Sequence, residues 1–139
     1  MPAESSFDYA VIRVVPRVDR GEFVNAGVIL FSRTRRYLNA AIALDRARLL
    51  ALAPWIDVEE VERALESIVL ICRGDARAGP IAQLDLAGRF HWLTSPRSTV
   101  VQTSPVHTGI CTEPDALLQH LLETMVLPSE PPPLPSETS

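Results

Sequence analysis

The feature that most constrains the fold is the run Phe7-Asp8-Tyr9-Ala10-Val11-Ile12-Arg13-Val14-Val15, closed by Pro16. β-Branched and aromatic residues dominate it, and proline brings no ladder donor to extend it. Both of its alternating faces are largely apolar, which predicts a central strand. A polar loop over residues 17–22, containing Gly21, leads to a second strand over 23–32. Arg33-Thr34-Arg35-Arg36 then connects to a third strand over 37–44. Connections this short between successive strands favour an antiparallel meander.

Helical signals follow. Asp45 is the expected N-cap of a short helix over 46–53 that Pro54 ends. Asp57, with Glu60 three residues later, forms a capping-box-like start for the longest helix. There Val58, Val61, Leu65, Ile68 and Cys72 recur at spacings of three and four, opposite a charged side, and Gly74 stops the pattern. Residues 84–93 predict a short helix interrupted near Gly88. Residues 98–103 predict a strand centred on Thr99, Val100 and Val101, and residues 106–111 a further extended piece after Ser104-Pro105. Thr112 with Asp115 marks a terminal helix carrying Leu117, Leu118, Leu121, Leu122 and Met125. This order predicts an α+β fold: a mostly antiparallel sheet, made of the N-terminal three-stranded meander plus a later strand or strands, with helices packed on one face. Five of the 12 prolines follow Leu127. Residues 6–127 therefore read as a single globular domain, and residues 128–139 as a disordered Pro-rich tail.

Composition excludes several chemistries. All 13 basic residues are arginine, so a Schiff-base lysine and a Walker-type phosphate lysine are both absent. Against 17 acids the net charge is −4, which disfavours nucleic acid as a partner despite the basic tip at Arg33, Arg35 and Arg36. Cys72, Cys111 and three histidines show no metal-ligand spacing, so neither a metal nor a cofactor is expected. The longest apolar stretch, residues 24–31, is far short of the ~20 residues of a membrane span. Residues 1–6 have neither the basic nor the apolar region of a secretory signal, so a cytoplasmic protein without membrane contact is expected.

Two segments stand out. Residues 94–109 crowd hydroxyl side chains around Arg97, Gln102 and His107. A guanidinium fork matches two oxygens of a phosphate or carboxylate, and neighbouring hydroxyls serve a third. Arg97, Ser98, Thr99, Gln102, His107 and Thr108 are therefore candidate ligand-binding residues; the competing reading is a strand and turns whose hydroxyls bond their own backbone. His107 is the candidate acid or base, although no carboxylate stands at a diagnostic spacing from it. The second segment is Gly21-Glu22-Phe23-Val24-Asn25-Ala26-Gly27, where asparagine and glycine share a strand that is otherwise apolar. Either Asn25 points into a site with Glu22 at its rim, or Asn25 bridges to a neighbouring loop and Gly27 marks a bulge.

At these segments the chain resembles a bacterial family, Domain of Unknown Function 3037. The resemblance is carried by Phe7-Asp8-Tyr9, Arg13-Val14-Val15-Pro16 and Gly21-Glu22-Phe23-Val24-Asn25-Ala26-Gly27-Val28. It continues in Trp92-Leu93-Thr94-Ser95-Pro96-Arg97-Ser98-Thr99 and Pro105-Val106-His107-Thr108-Gly109. It covers roughly residues 6–127 and brings no functional residues with it. It implies a small cytoplasmic bacterial protein encoded near a kinase-like protein of the HipA type, and hence an accessory or regulatory partner.

The expected function is a non-enzymatic binding or regulatory module that recognises a protein partner or an anionic, phosphate-like group through Arg97 and its neighbours. The alternative is a small enzyme acting on a phosphorylated or nucleotide-like substrate, with His107 as acid or base and Arg97 stabilising negative charge.

Overall fold

The expected central strand is β1 (Ser5–Val14) of a computed structural model that describes residues 3–97 and 99–128. Candidate Ser98 and, apart from Pro128, the proline-rich segment lie outside the described residues. On one side β1 pairs antiparallel with β2 (Val24–Ser32), which pairs in turn with β3 (Tyr37–Ile42). Two short antiparallel strands share the other side of β1. There β4 (Val101–Thr103) lies against residues 12–14 and β5 (His107–Cys111) against residues 5–9. The result is an open five-stranded antiparallel sheet in the order β3-β2-β1-β4, with β5 also beside β1.

The break between β4 and β5 falls at Ser104-Pro105. Thr103 faces Ile12 and His107 faces Tyr9, so one extra residue is taken up on the outer strand. Ser104 holds the ladder together there. Its N–H donates to the Val11 carbonyl at 2.8 Å, and its buried hydroxyl accepts the Val11 N–H at 2.9 Å. Ser104→Ala leaves that central-strand N–H without an acceptor, and urea unfolding should show a loss of about 1–3 kcal/mol. A loss of only a few tenths would mean that water takes the hydroxyl's place.

The helices start where the sequence asks. Asp45 accepts the Arg48 N–H at the head of α1 (Arg46–Leu52), and Asp57 accepts the Glu60 N–H at the head of α2 (Val58–Arg73). Gly74 ends α2 at φ +70°, a left-handed conformation suited to glycine. Two single 3-10 turns, Ala76–Ala78 and Pro80–Gln83, precede α3 (Leu86–Thr94). Gly88 does not interrupt α3: it lies in the first turn, where its N–H is capped by Asp85 at 2.7 Å. In α4 (Pro114–Met125) Thr112 is not the N-cap; the helix opens on Glu113 without a side-chain cap, and Pro114 presets the first turn.

Alternation along the sheet separates two cores. Ile12, Val14, Ile29, Phe31, Leu38 and Ala40 pack against α1, α2 and α3. Phe7, Val11, Val28 and Leu30 point the other way and pack against Leu118, Leu121 and Leu122 of α4. The α+β expectation and the N-terminal meander therefore hold, and packing on one face describes the first three helices only. Apolar residues on both sides of β1 need cover on both sides, and α4 supplies the second. Buried Cys72 belongs to the larger core; burial pushes its thiol up to about 12, so it is packing rather than a nucleophile. Cys72 and Cys111 are both free thiols. No helix among the described residues is long and apolar enough to cross a membrane.

Candidate functional site

A half-open groove of about 620 Å³ lies between α2, α3 and the edge strand β4. Its walls are mostly apolar: Val61, Ala64 and Ile68 come from α2, Trp92 and Leu93 from α3, and Val101 from β4. It forms where α2, packed mainly on β3, reaches across toward β4 and leaves a trough between the two. Asp57 and Glu60 line the groove from the start of α2, and Ser67 is a further polar lining residue on that helix.

Three of the sequence candidates meet in this groove: Arg97, Thr99 and Gln102. Each already has local work. The Arg97 guanidinium lies 4.4 Å over the Trp92 ring, donates to the Trp92 carbonyl and donates at 3.4 Å to the Ser95 carbonyl. It thereby closes the C-terminal end of α3, where unsatisfied carbonyls attract a cation. The Thr99 hydroxyl donates to the Val101 carbonyl at 2.9 Å, and the Gln102 amide donates to the Thr99 carbonyl at 2.8 Å. The Thr99 bond is of the hydroxyl-to-backbone kind in the competing reading from the sequence, and the Gln102 amide adds a second bond to the same turn. The groove is therefore more apolar and less anion-ready than the residue types alone suggest.

The other candidates lie elsewhere. His107 is exposed on β5, stacked on Tyr9 with ring centroids 5.3 Å apart, and is not among the groove-lining residues. Thr108 beside it donates to Asp8 Oδ1 at 2.8 Å. Glu22 pairs with Arg20 and lines a separate depression of about 280 Å³ with Arg17, Leu52 and Trp55. Asn25 bridges to a helix rather than to a loop: its Nδ2 donates to the Met125 carbonyl at the end of α4 at 3.0 Å. Gly27 follows its structural reading, since the register shift in the β1–β2 ladder falls beside it and leaves Ala26 as the extra residue. At the basic tip, Arg35 is committed to the Ser5 hydroxyl at 2.8 Å and to the Ala3 carbonyl. Among the described residues no group of three or more His, Cys, Asp or Glu side chains could hold a metal ion.

Two residues that the sequence reading passed over belong in this account. Trp92 forms the floor under Arg97, and Arg13 lies with its guanidinium 4.2 Å over the Phe23 ring. Arg13 is the one cation inside the apolar run 10–15, a signal visible in the sequence.

A family model described as "Protein of unknown function (DUF3037)" matches residues 9–126. The chain belongs to the DUF3037 family. No curated protein and no solved structure matches it. The matched range takes in all of β2–β5, α1–α4 and the groove of this DUF3037 chain, and β1 from Tyr9 onward.

Proposed function

We propose that this DUF3037 chain is a binding module whose receptor is the groove between α2, α3 and β4, and that the occupant is an extended segment of a protein partner. The observation that carries the reading is the pairing of an apolar trough with an open strand edge. Val100 and Ser104 turn their backbone groups toward β1, with the Val15 N–H donating to the Val100 carbonyl at 2.6 Å. By alternation Val101 and Thr103 direct theirs outward, where the Val101 carbonyl already accepts the Thr99 hydroxyl and the other groups are open to a strand. No strand lies on that outer side among the described residues. A strand added there gains main-chain hydrogen bonds, and its alternate side chains enter the trough between β4 and α2. Asp57 and Glu60 favour a basic residue at their end of the groove.

The phosphate-receptor version has less support, because the Arg97, Thr99 and Gln102 donors are engaged at home. The enzyme alternative has less again, with His107 away from the groove and stacked on Tyr9.

A displayed library of random linear peptides tests the reading. Wild-type protein should enrich sequences with apolar residues at every second position. Ala64→Trp, placed on an exposed lining position of α2, should weaken the selected peptides at least about tenfold, the equivalent of ~1.4 kcal/mol. Absence of enrichment, or equal binding by the filled-groove variant, would overturn it.

A further inference from the structure

Four arginines of this chain are half-buried: Arg13, Arg35, Arg89 and Arg97. Arg35 bonds a hydroxyl and a carbonyl, Arg89 bonds the carbonyls of Leu84, Ile71 and Cys72, and Arg97 bonds those of Trp92 and Ser95. The Arg13 guanidinium alone makes no hydrogen bond among the described residues. It forms no ion pair there, and its Nε is a buried donor without an acceptor. A buried N–H donor left without an acceptor is unfavourable, so Arg13 Nε calls for one.

The surroundings shape that partner. Arg13 is on the face of the sheet that α4 covers, opposite Asn25 of β2 and Gln102 of β4 in register. Phe23, 43% exposed, stacks under the guanidinium and holds its plane. Asn25 is pinned by its bond to the Met125 carbonyl, and its Oδ1 is a buried acceptor without a donor. The unused donor of Arg13 and the unused acceptor of Asn25 thus occupy directly opposed positions. Beside Nε, the guanidinium carries further N–H donors in the same plane. Two parallel N–H donors on a fixed plane match two oxygens of a carboxylate or a phosphate.

We propose that Arg13, stacked on Phe23 and facing Asn25 across the β1–β2 ladder, is an oxyanion receptor on the sheet face that α4 covers, taking the carboxylate or phosphate of a ligand. This also gives the segment 21–27 a common purpose: Phe23 supplies the platform and Asn25 the facing acceptor.

The test follows the side-chain Nε–H resonance of Arg13 by NMR in the full chain, at constant ionic strength set with chloride. Inorganic phosphate and acetate are titrated separately. A saturable shift of that resonance and of the Asn25 side-chain amide, with a dissociation constant of about 1 mM or tighter, is expected for at least one of them. Response to phosphate alone or to acetate alone supports the site and names its source; response to both supports the shared chemistry. The Asn25 amide response should vanish in Arg13→Gln and persist in Arg97→Gln, which separates this site from the groove. No saturable response to either anion, a response that survives Arg13→Gln, or one lost in Arg97→Gln would overturn the proposal. Should Arg13→Gln not fold, Phe23→Leu is used instead and must weaken the response several-fold.

Discussion

Gly27→Val should remove most of the stability of this domain, by at least about 3 kcal/mol. Gly27 is in an extended strand, so the reason is space and not backbone freedom. A Cβ built there meets the Ala41 carbonyl at 2.6 Å, the Ile42 Cδ1 at 2.8 Å and the Ile12 Cδ1 at 3.1 Å. The first of these atoms is backbone of β3, hydrogen-bonded within the sheet, and it cannot swing aside as a side-chain tip can. The position also adjoins the bulge in the β1–β2 ladder, so relief by sliding β2 disturbs the pairing of β1, on which the other strands depend. Small domains hold only about 5–15 kcal/mol in total. Urea unfolding of Gly27→Ala and Gly27→Val measures the effect in two steps, with alanine already costly and valine worse. An alanine variant within about 0.5 kcal/mol of wild type would sink the argument, because β3 would then yield freely.

The same glycine shows what a sequence discloses. Asn25 and Gly27 are conspicuous because an amide and a missing side chain interrupt an apolar strand; the amide bonds to the last residue of α4 rather than to a loop, and a bulge lies beside Gly27. The caps at Asp45 and Asp57 and the stop at Gly74 were legible for a related reason. Each is a local exchange between a side chain and a nearby backbone group, fixed within four residues. Side choice is different. The apolar positions of α4 are evident from spacing, but which face of the sheet receives them depends on where the chain returns after β5, which no local pattern records. The two-sided apolar character of β1 carried the missing information, since one layer of helices covers one face.

The candidate site shows the same division. Residues 94–109 are contiguous in sequence, yet the break at Ser104-Pro105 sends β4 and β5 along different stretches of β1. Arg97, Thr99 and Gln102 end beside α2, while His107 ends on Tyr9. Nearness in sequence said which residues were polar, and the bulge decided which of them met. The converse holds for Arg13, Phe23 and Asn25. They are dispersed over thirteen positions, and only antiparallel pairing of β1 with β2 sets them together.

Phe90→Ala is the second large effect, and it joins stability to the groove. Phe90 is buried, stacked on Phe31 of β2 with centroids 5.0 Å apart, and with Leu93 anchors α3 in the core on the sheet. Truncating a buried phenylalanine costs about 3–5 kcal/mol through lost transfer energy and the cavity left behind. Its neighbours Trp92 and Leu93 form one wall of the groove, and Arg97 closes the same helix end. Loosening α3 should therefore raise amide exchange over residues 86–97 before the rest of the domain and abolish binding of the selected peptides. Leu121→Ala in the α4 core is the matched control: about 2–5 kcal/mol lost with the groove wall intact. At a temperature where both variants remain folded, peptide binding retained in Leu121→Ala and lost in Phe90→Ala assigns the effect to the wall. Equal loss in both would mean that binding follows global stability, and the groove between α2, α3 and β4 would cease to be the receptor.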